Sequence, residues 1–153
     1  MKIPVLFNTK INVMIKYALG IDISMKSFHV CLSSIDFVQH VKVKSSSSFS
    51  NNLSGFRLLH QWLQKHYADQ SLPLVIAMEA TGVYYEQCAM FLFKLGYQVS
   101  IVLPNKAKKY LQATGLKSKN DKIDSKGLSR MAAEQSLELW QPMNDFFYHL
   151  RAL

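Results

Sequence analysis

Two cysteines are all that these 153 residues contain. Cys31 and Cys88 stand apart with no C-x-x-C spacing, which argues against a disulfide framework or a cysteine-based zinc site and fits a reducing cytoplasm. Long apolar runs are missing too. The most apolar stretch, Val83 to Leu103, is interrupted by Glu86, Lys94 and Gly96, so it reads as a helix followed by a strand and not as a membrane span. The opening MKIPVLFNTKINVMIK is broken by Asn8, Lys10 and Asn12 and has no small-residue cleavage site, which argues against a signal peptide. Residues 1–16 read instead as a leader outside the folded unit. Acidic residues are scarce: ten Asp and Glu stand against eighteen Lys and Arg, a formal charge of +8. That balance favours anionic partners, nucleic acid first and an acidic membrane second.

What is present is enough for one core. At 49% hydrophobic, the chain can bury a single domain of ordinary size and little more. Tyr17 to Ile23, Ser27 to Ser33 and Phe37 to Val43 are apolar and β-branched with short polar breaks, so they read as a three-strand antiparallel meander. SSSSFSNNLSG follows as a polar loop. Residues 55–68 carry Phe56, Leu59, Trp62, Leu63 and His66 at helical spacing, with Ser54 as N-cap. Leu74 to Glu79 is a short continuous apolar run suited to a buried parallel strand, Val83 to Leu95 a helix stopped by Gly96, and Tyr97 to Leu103 another strand. Lys106 to Leu111 and Lys122 to Glu134 read as helices. The order β-β-β-α-β-α-β-α-α is mixed α/β.

Four carboxylates fall where charge is hard to justify structurally: Asp22 in LGIDIS, Glu79 in LVIAMEATG, and Asp121 and Asp124 in KSKNDKIDSKG. Asp is disfavoured in strands, and a carboxylate ending an apolar run loses hydration unless a cation compensates. A hard divalent ion such as Mg2+ prefers carboxylates and retained waters, and such ions support phosphodiester chemistry. In an α/β sheet, functional groups gather beyond the C-terminal ends of parallel strands, so Asp22 and Glu79 approach one another if the first and fourth strands are neighbours. Alternation puts Asp22 with Gly20 and Ser24, opposite Leu19, Ile21 and Ile23. Asp121 and Asp124, three apart, share a helix face. Plainer roles remain open for three of the acids: Asp121 as an N-cap, Asp124 as a first-turn dipole partner, Glu79 as a helix-entry acid before Thr81.

Cations surround the last pair. Lys106, Lys108, Lys109, Lys117, Lys119, Lys122, Lys126 and Arg130 lie in one stretch with Asp121 and Asp124 as its only acids. A surface of this kind holds phosphate backbone beside a metal, and a solvated lysine face is its plain alternative. Tyr84 and Tyr85, at a helix start after a buried strand, read as core and not as base-stacking groups. His29, His40, His60, His66 and His149 have no ligand spacing and read as structural or surface residues.

The succession GIDIS, EATGVYYE, a strand ending in LPNKAKKY, and KNDKIDSKGLSRM resembles the RuvC-like DEDD transposases of bacterial insertion sequences, the group that includes Piv-type invertases and bridge-RNA-guided recombinases. The likeness spans residues 17–153. It implies a ribonuclease H-like fold, with Asp22, Glu79, Asp121 and Asp124 matching the D, E, D, D metal-binding tetrad for Mg2+ or Mn2+. It further implies a Mg-dependent DNA transposase or site-specific recombinase, partnered by DNA and by a guide RNA, in the bacterial cytoplasm at the nucleoid and away from membranes. Met25 stands where the family often has lysine, and Asn120 and Ser125 replace the common threonine and alanine beside the last acids; no ligand is lost.

Family members continue into a second domain that contributes a catalytic serine. Residues 17–140 are therefore expected to be the DEDD domain, and 141–153 the start of a following helix, whose Phe146, Phe147 and Leu150 make an apolar stripe suited to homodimer contact. On this reading the chain alone is catalytically incomplete. Two other classes compete. GIDIS before a polar turn also suggests an actin-like ATPase or sugar kinase, but six glycines and no second Gly-rich phosphate loop after residue 60 weigh against it. A non-catalytic nucleic-acid-binding module would leave the four acids without metal.

Overall fold

Among the described residues, alternating and continuous apolar runs become five strands on which four helices close both faces. The structure, a computed structural model, describes residues 13–115 and 122–142. In chain order the elements are β1 (Met14–Ile23), β2 (Ser27–Asp36), β3 (Val41–Ser50), α1 (Leu53–His66), β4 (Leu74–Glu79), α2 (Glu86–Lys94), β5 (Gln98–Val102), α3 (Pro104–Thr114) and α4 (Ser125–Glu134). The sheet order is β3-β2-β1-β4-β5: β1, β2 and β3 form an antiparallel meander, while β4 and β5 run parallel to β1. The expected mixed sheet is present, and the first and fourth strands are neighbours.

Strand alternation divides the core in two. Leu19, Ile21, Phe28, Val30, Ile76 and Met78 project onto one face, where α1 and α2 cover them with Phe56, Leu59, Leu63, Ala89 and Leu92. Ala18, Ala77 and Val102 project onto the other, beneath α3 and α4 with Tyr110, Leu111, Leu128, Met131 and Ala132. Each large apolar side chain buried this way contributes about 1.5–3 kcal/mol. The residues under α4 are small because that helix lies very close: a β-carbon on Gly20 would stand 2.0 Å from the Ser125 carbonyl oxygen. Ser129, fully buried, fixes the contact by donating its hydroxyl to Ala18 O at 2.9 Å and meeting Ser33 Oγ at 2.8 Å. Lys16 closes the other end of α4, donating to Ala132 O at 2.5 Å and Gln135 O at 3.2 Å, and burial lowers its pKa.

Several expected boundaries shift. Phe37 to His40 form a turn, with Gln39 at φ 69° and the Asp36 carboxylate accepting from Val38 N and His40 N, so the third strand starts at Val41. It then runs through the serines expected as a loop, because β2 supplies a continuous hydrogen-bond ladder that residue type alone does not reveal. β1 starts at Met14, three residues before Tyr17. Asn52, not Ser54, caps α1, its side chain accepting from Gly55 N at 2.8 Å. Val83 to Tyr85 precede α2; Pro104 opens α3 two residues before Lys106. Lys122 and Ile123 precede α4. Of the expected leader over 1–16, residues 14–16 belong to β1 and residues 1–12 lie outside the described residues, as do Lys117, Lys119, Asp121, Phe146, Phe147, His149 and Leu150. Among the described residues no helix is long and apolar enough to cross a membrane.

Candidate phosphodiester-processing site

Asp22 and Glu79 sit at the C-terminal ends of adjacent parallel strands. Ile21 pairs with Met78 across β1 and β4, so the next residues on each strand are these two acids, and both share the parity of Gly20 and Ala77 on the α4 face. The sheet keeps both half-buried. Asp22 Oδ1 has Lys122 Nζ at 3.3 Å, and Glu79 Oε1 accepts from the Thr81 hydroxyl at 2.5 Å.

Asp124 arrives from above. It is the N-cap of α4, extended at φ −101° and ψ −177°, with Oδ1 accepting from Gly127 N at 2.8 Å. It therefore precedes the helix, and the expected face shared with Asp121 lies outside the described residues. The close approach of α4 to Gly20 brings this cap to the end of β1, where Asp22, Asp124 and Ser125 line one wall of a cavity of about 350 Å3. His29, Ser46 and Ser48 line its other side. Neither His29 nor the serines were singled out by sequence reasoning: a run of serines hides its alternation, and only the β2–β3 register shows which of them face the acids.

The donor set suits a hard cation: carboxylate oxygens only, on a strand end, a neighbouring strand end and a helix cap. Among the described residues no three His, Cys, Asp or Glu side chains converge as a ready metal cluster. The ammonium of Lys122 is the cation standing beside Asp22.

The basic residues separate into groups. Lys122, Lys126 and Arg130 border a second cavity of about 200 Å3 with Tyr110, Leu111, Thr114 and Asp124, so they stand next to Asp124. Arg130 Nε also pairs with Glu134 at 3.3 Å, and Tyr110 donates its hydroxyl to Glu134, tying α3 to α4. Lys106, Lys108 and Lys109 are exposed along α3 and do not border that cavity. Tyr85 packs against the core as expected, whereas Tyr84 is 46% exposed. Asn51 joins the loops at this end of the sheet, donating to Ser24 O at 3.0 Å and Tyr84 O at 3.1 Å.

Known proteins share both the sequence and this topology. Residues 19–153 match a family model described as Transposase, the DEDD type of IS110 elements. The chain is 36% identical over 140 residues to the pilin gene-inverting proteins of Moraxella bovis and Moraxella lacunata; the alignments take in 92% of this chain and 41% of each relative. The chain thus spans less than half the length of the curated relatives it matches. Thermus thermophilus RuvC superposes with a TM-score of 0.56 at 9% identity, over 81% of this chain and 99% of that one. The Fowlpox virus resolvase in complex with Holliday junction DNA gives 0.50 at 16% identity, over 77% and 97%. These likenesses establish a RuvC-like, ribonuclease H-like fold. Matched by the family model over most of its length and built on that fold, the chain belongs to the DEDD transposase family.

Proposed function

We propose that this chain is the metal-binding, nucleic-acid-holding domain of a DNA transposase or site-specific recombinase, with Asp22, Glu79, Asp121 and Asp124 as ligands for Mg2+ or Mn2+. The observation that carries this reading is the placement of Asp22 and Glu79 at neighbouring parallel strand ends, with Asp124, the cap of α4, lining a cavity together with Asp22. A divalent ion held there would polarise a scissile phosphodiester and stabilise the charge that develops on its oxygens. The chain's own groups do the rest. Gly20 lets α4 seat its cap beside Asp22, Thr81 orients Glu79, and Lys122, Lys126 and Arg130 attract backbone phosphates next to the acids. The relatives are pilin gene-inverting proteins and the fold neighbours include resolvases bound to Holliday junction DNA, which supports DNA, a branched junction in particular, as the substrate. A guide RNA and a homodimer or higher oligomer formed through residues 141–153 belong to the same proposal.

Titration calorimetry with Mn2+ tests it. Asp22→Asn and Glu79→Gln should each weaken binding by at least about tenfold, because loss of one ligand leaves coordination incomplete. Unchanged affinity in both variants would falsify the shared site. With a four-way DNA junction and metal, the chain alone should bind without yielding rejoined product, since covalent strand transfer requires a nucleophile held within reach and the family's serine lies in another domain.

One observation favours a second reading, a nucleic-acid-binding module without metal: Lys122 already compensates Asp22 at 3.3 Å. In that case Mn2+ should produce no heat with the wild-type chain.

A further inference from the structure

The face of the sheet beneath α4 carries a lateral row of polar side chains that runs beyond the acids. Register puts Asp22 directly opposite His29 across β1 and β2, and His29 directly opposite Ser48 across β2 and β3. Glu79 continues the row on β4. Strands lie about 4.8 Å apart, so His29 stands about one strand spacing from Asp22 and Ser48 about two. His29 and Ser48 are joined, with Nδ1 and Oγ 2.6 Å apart. When the serine hydroxyl donates to Nδ1, the ring proton resides on Nε2, and among the described residues Nε2 has no hydrogen-bond partner. Ring, serine, Asp22 and Asp124 line the same cavity of about 350 Å3.

Three features make this pair more than a solvated cross-strand contact. It lines a cavity with Asp22 and Asp124, its ring is held by the hydroxyl of a second side chain, and β3 is an edge strand whose Ser46 adds a hydroxyl on the same side. Phosphates flanking a scissile bond must pass close to carboxylates that repel them, and hydrogen-bond donors along the row offset that repulsion and set the strand's register.

We propose that His29, oriented by Ser48, binds the nucleic-acid strand: Nε2–H donates to a non-bridging oxygen of the phosphate next to the one held at the acids, so the strand lies along the Glu79–Asp22–His29–Ser48 row. This rests on the reading of the acids as a phosphodiester site.

The test measures Mn2+ affinity by calorimetry and four-way junction affinity by fluorescence anisotropy, on wild type, His29→Ala and Ser48→Ala. His29 is exposed, so thermal melts should confirm an intact fold in each variant. Loss of a hydrogen bond to a charged acceptor should weaken junction binding about tenfold in His29→Ala, with a smaller loss in Ser48→Ala and Mn2+ affinity unchanged in both. Single methylphosphonates walked along the junction strand supply the second measurement: at one position wild type should lose affinity and His29→Ala should lose none. If wild type binds Mn2+ and junction while His29→Ala matches it at every methylphosphonate, the inference is overturned and the site reading stands. If wild type binds neither, both fall.

Discussion

The carbonyl oxygen of Ser125 lies over Gly20 so closely that a side chain at Gly20 has no room: a β-carbon would come within 2.0 Å of it and 2.4 Å of Ser129 N. This contact between the first strand and the last helix fixes the height of the α4 cap, and so the position of Asp124 relative to Asp22.

Gly20→Ala should therefore damage stability and site together. Overpacking against backbone forces α4 outward at a cost of about 1–3 kcal/mol, and Mn2+ affinity should fall even though no ligand has changed. Thermal melts and calorimetry check both. A variant with wild-type melting temperature and metal affinity would mean that α4 yields without consequence.

Lys122 and a metal ion compete for Asp22. Lys122→Met should tighten Mn2+ binding severalfold in the absence of nucleic acid, because the ammonium at 3.3 Å no longer has to be displaced. Its effect on stability without metal should be small, since a pair in which Lys122 is 57% exposed contributes about 1 kcal/mol or less. Weaker Mn2+ binding in this variant would show that the lysine supports the metal.

Phosphate contacts by the basic side chains beside the acids should appear as salt dependence. For duplex DNA, each lost contact lowers the log–log slope of affinity against salt by about 0.9, so Lys122→Ala with Lys126→Ala should reduce it by roughly 1.8. Equal slopes in wild type and the double variant would put the binding surface elsewhere, with the exposed lysines of α3 next to be tested.

Cys88 offers a probe of folding. Burial pushes its thiol up from 9.0 to about 12, so it should resist alkylation at pH 8 until the chain unfolds. The raised folded value means that the neutral thiol's contribution to stability is complete below about pH 9 and is lost as pH rises towards 12. Mass spectrometry after iodoacetamide treatment, with and without denaturant, checks this. Rapid native labelling at Cys88 would contradict its burial.

The mixed α/β class, the strand succession and the two strand-end acids were legible in the order of residues alone, because apolar runs that stop at a carboxylate are local features. Asp22 and Glu79 could be read from one dimension: alternation gave the face of Asp22, and a parallel strand ending in an acid pointed to the same edge of the sheet. Other features depended on partners distant in the chain. The serines of β3 have no alternation to reveal a strand, and only pairing with β2 makes them one and turns Ser46 and Ser48 towards the acids. His29 appeared isolated until register set it opposite Asp22. Asp124 looked like part of a helix, but the helix starts one residue later, so the carboxylate became a cap. Tertiary structure decided these points because a ladder register and a helix seated on a glycine are contacts between segments about twenty to more than one hundred residues apart, which no local pattern of residue types encodes.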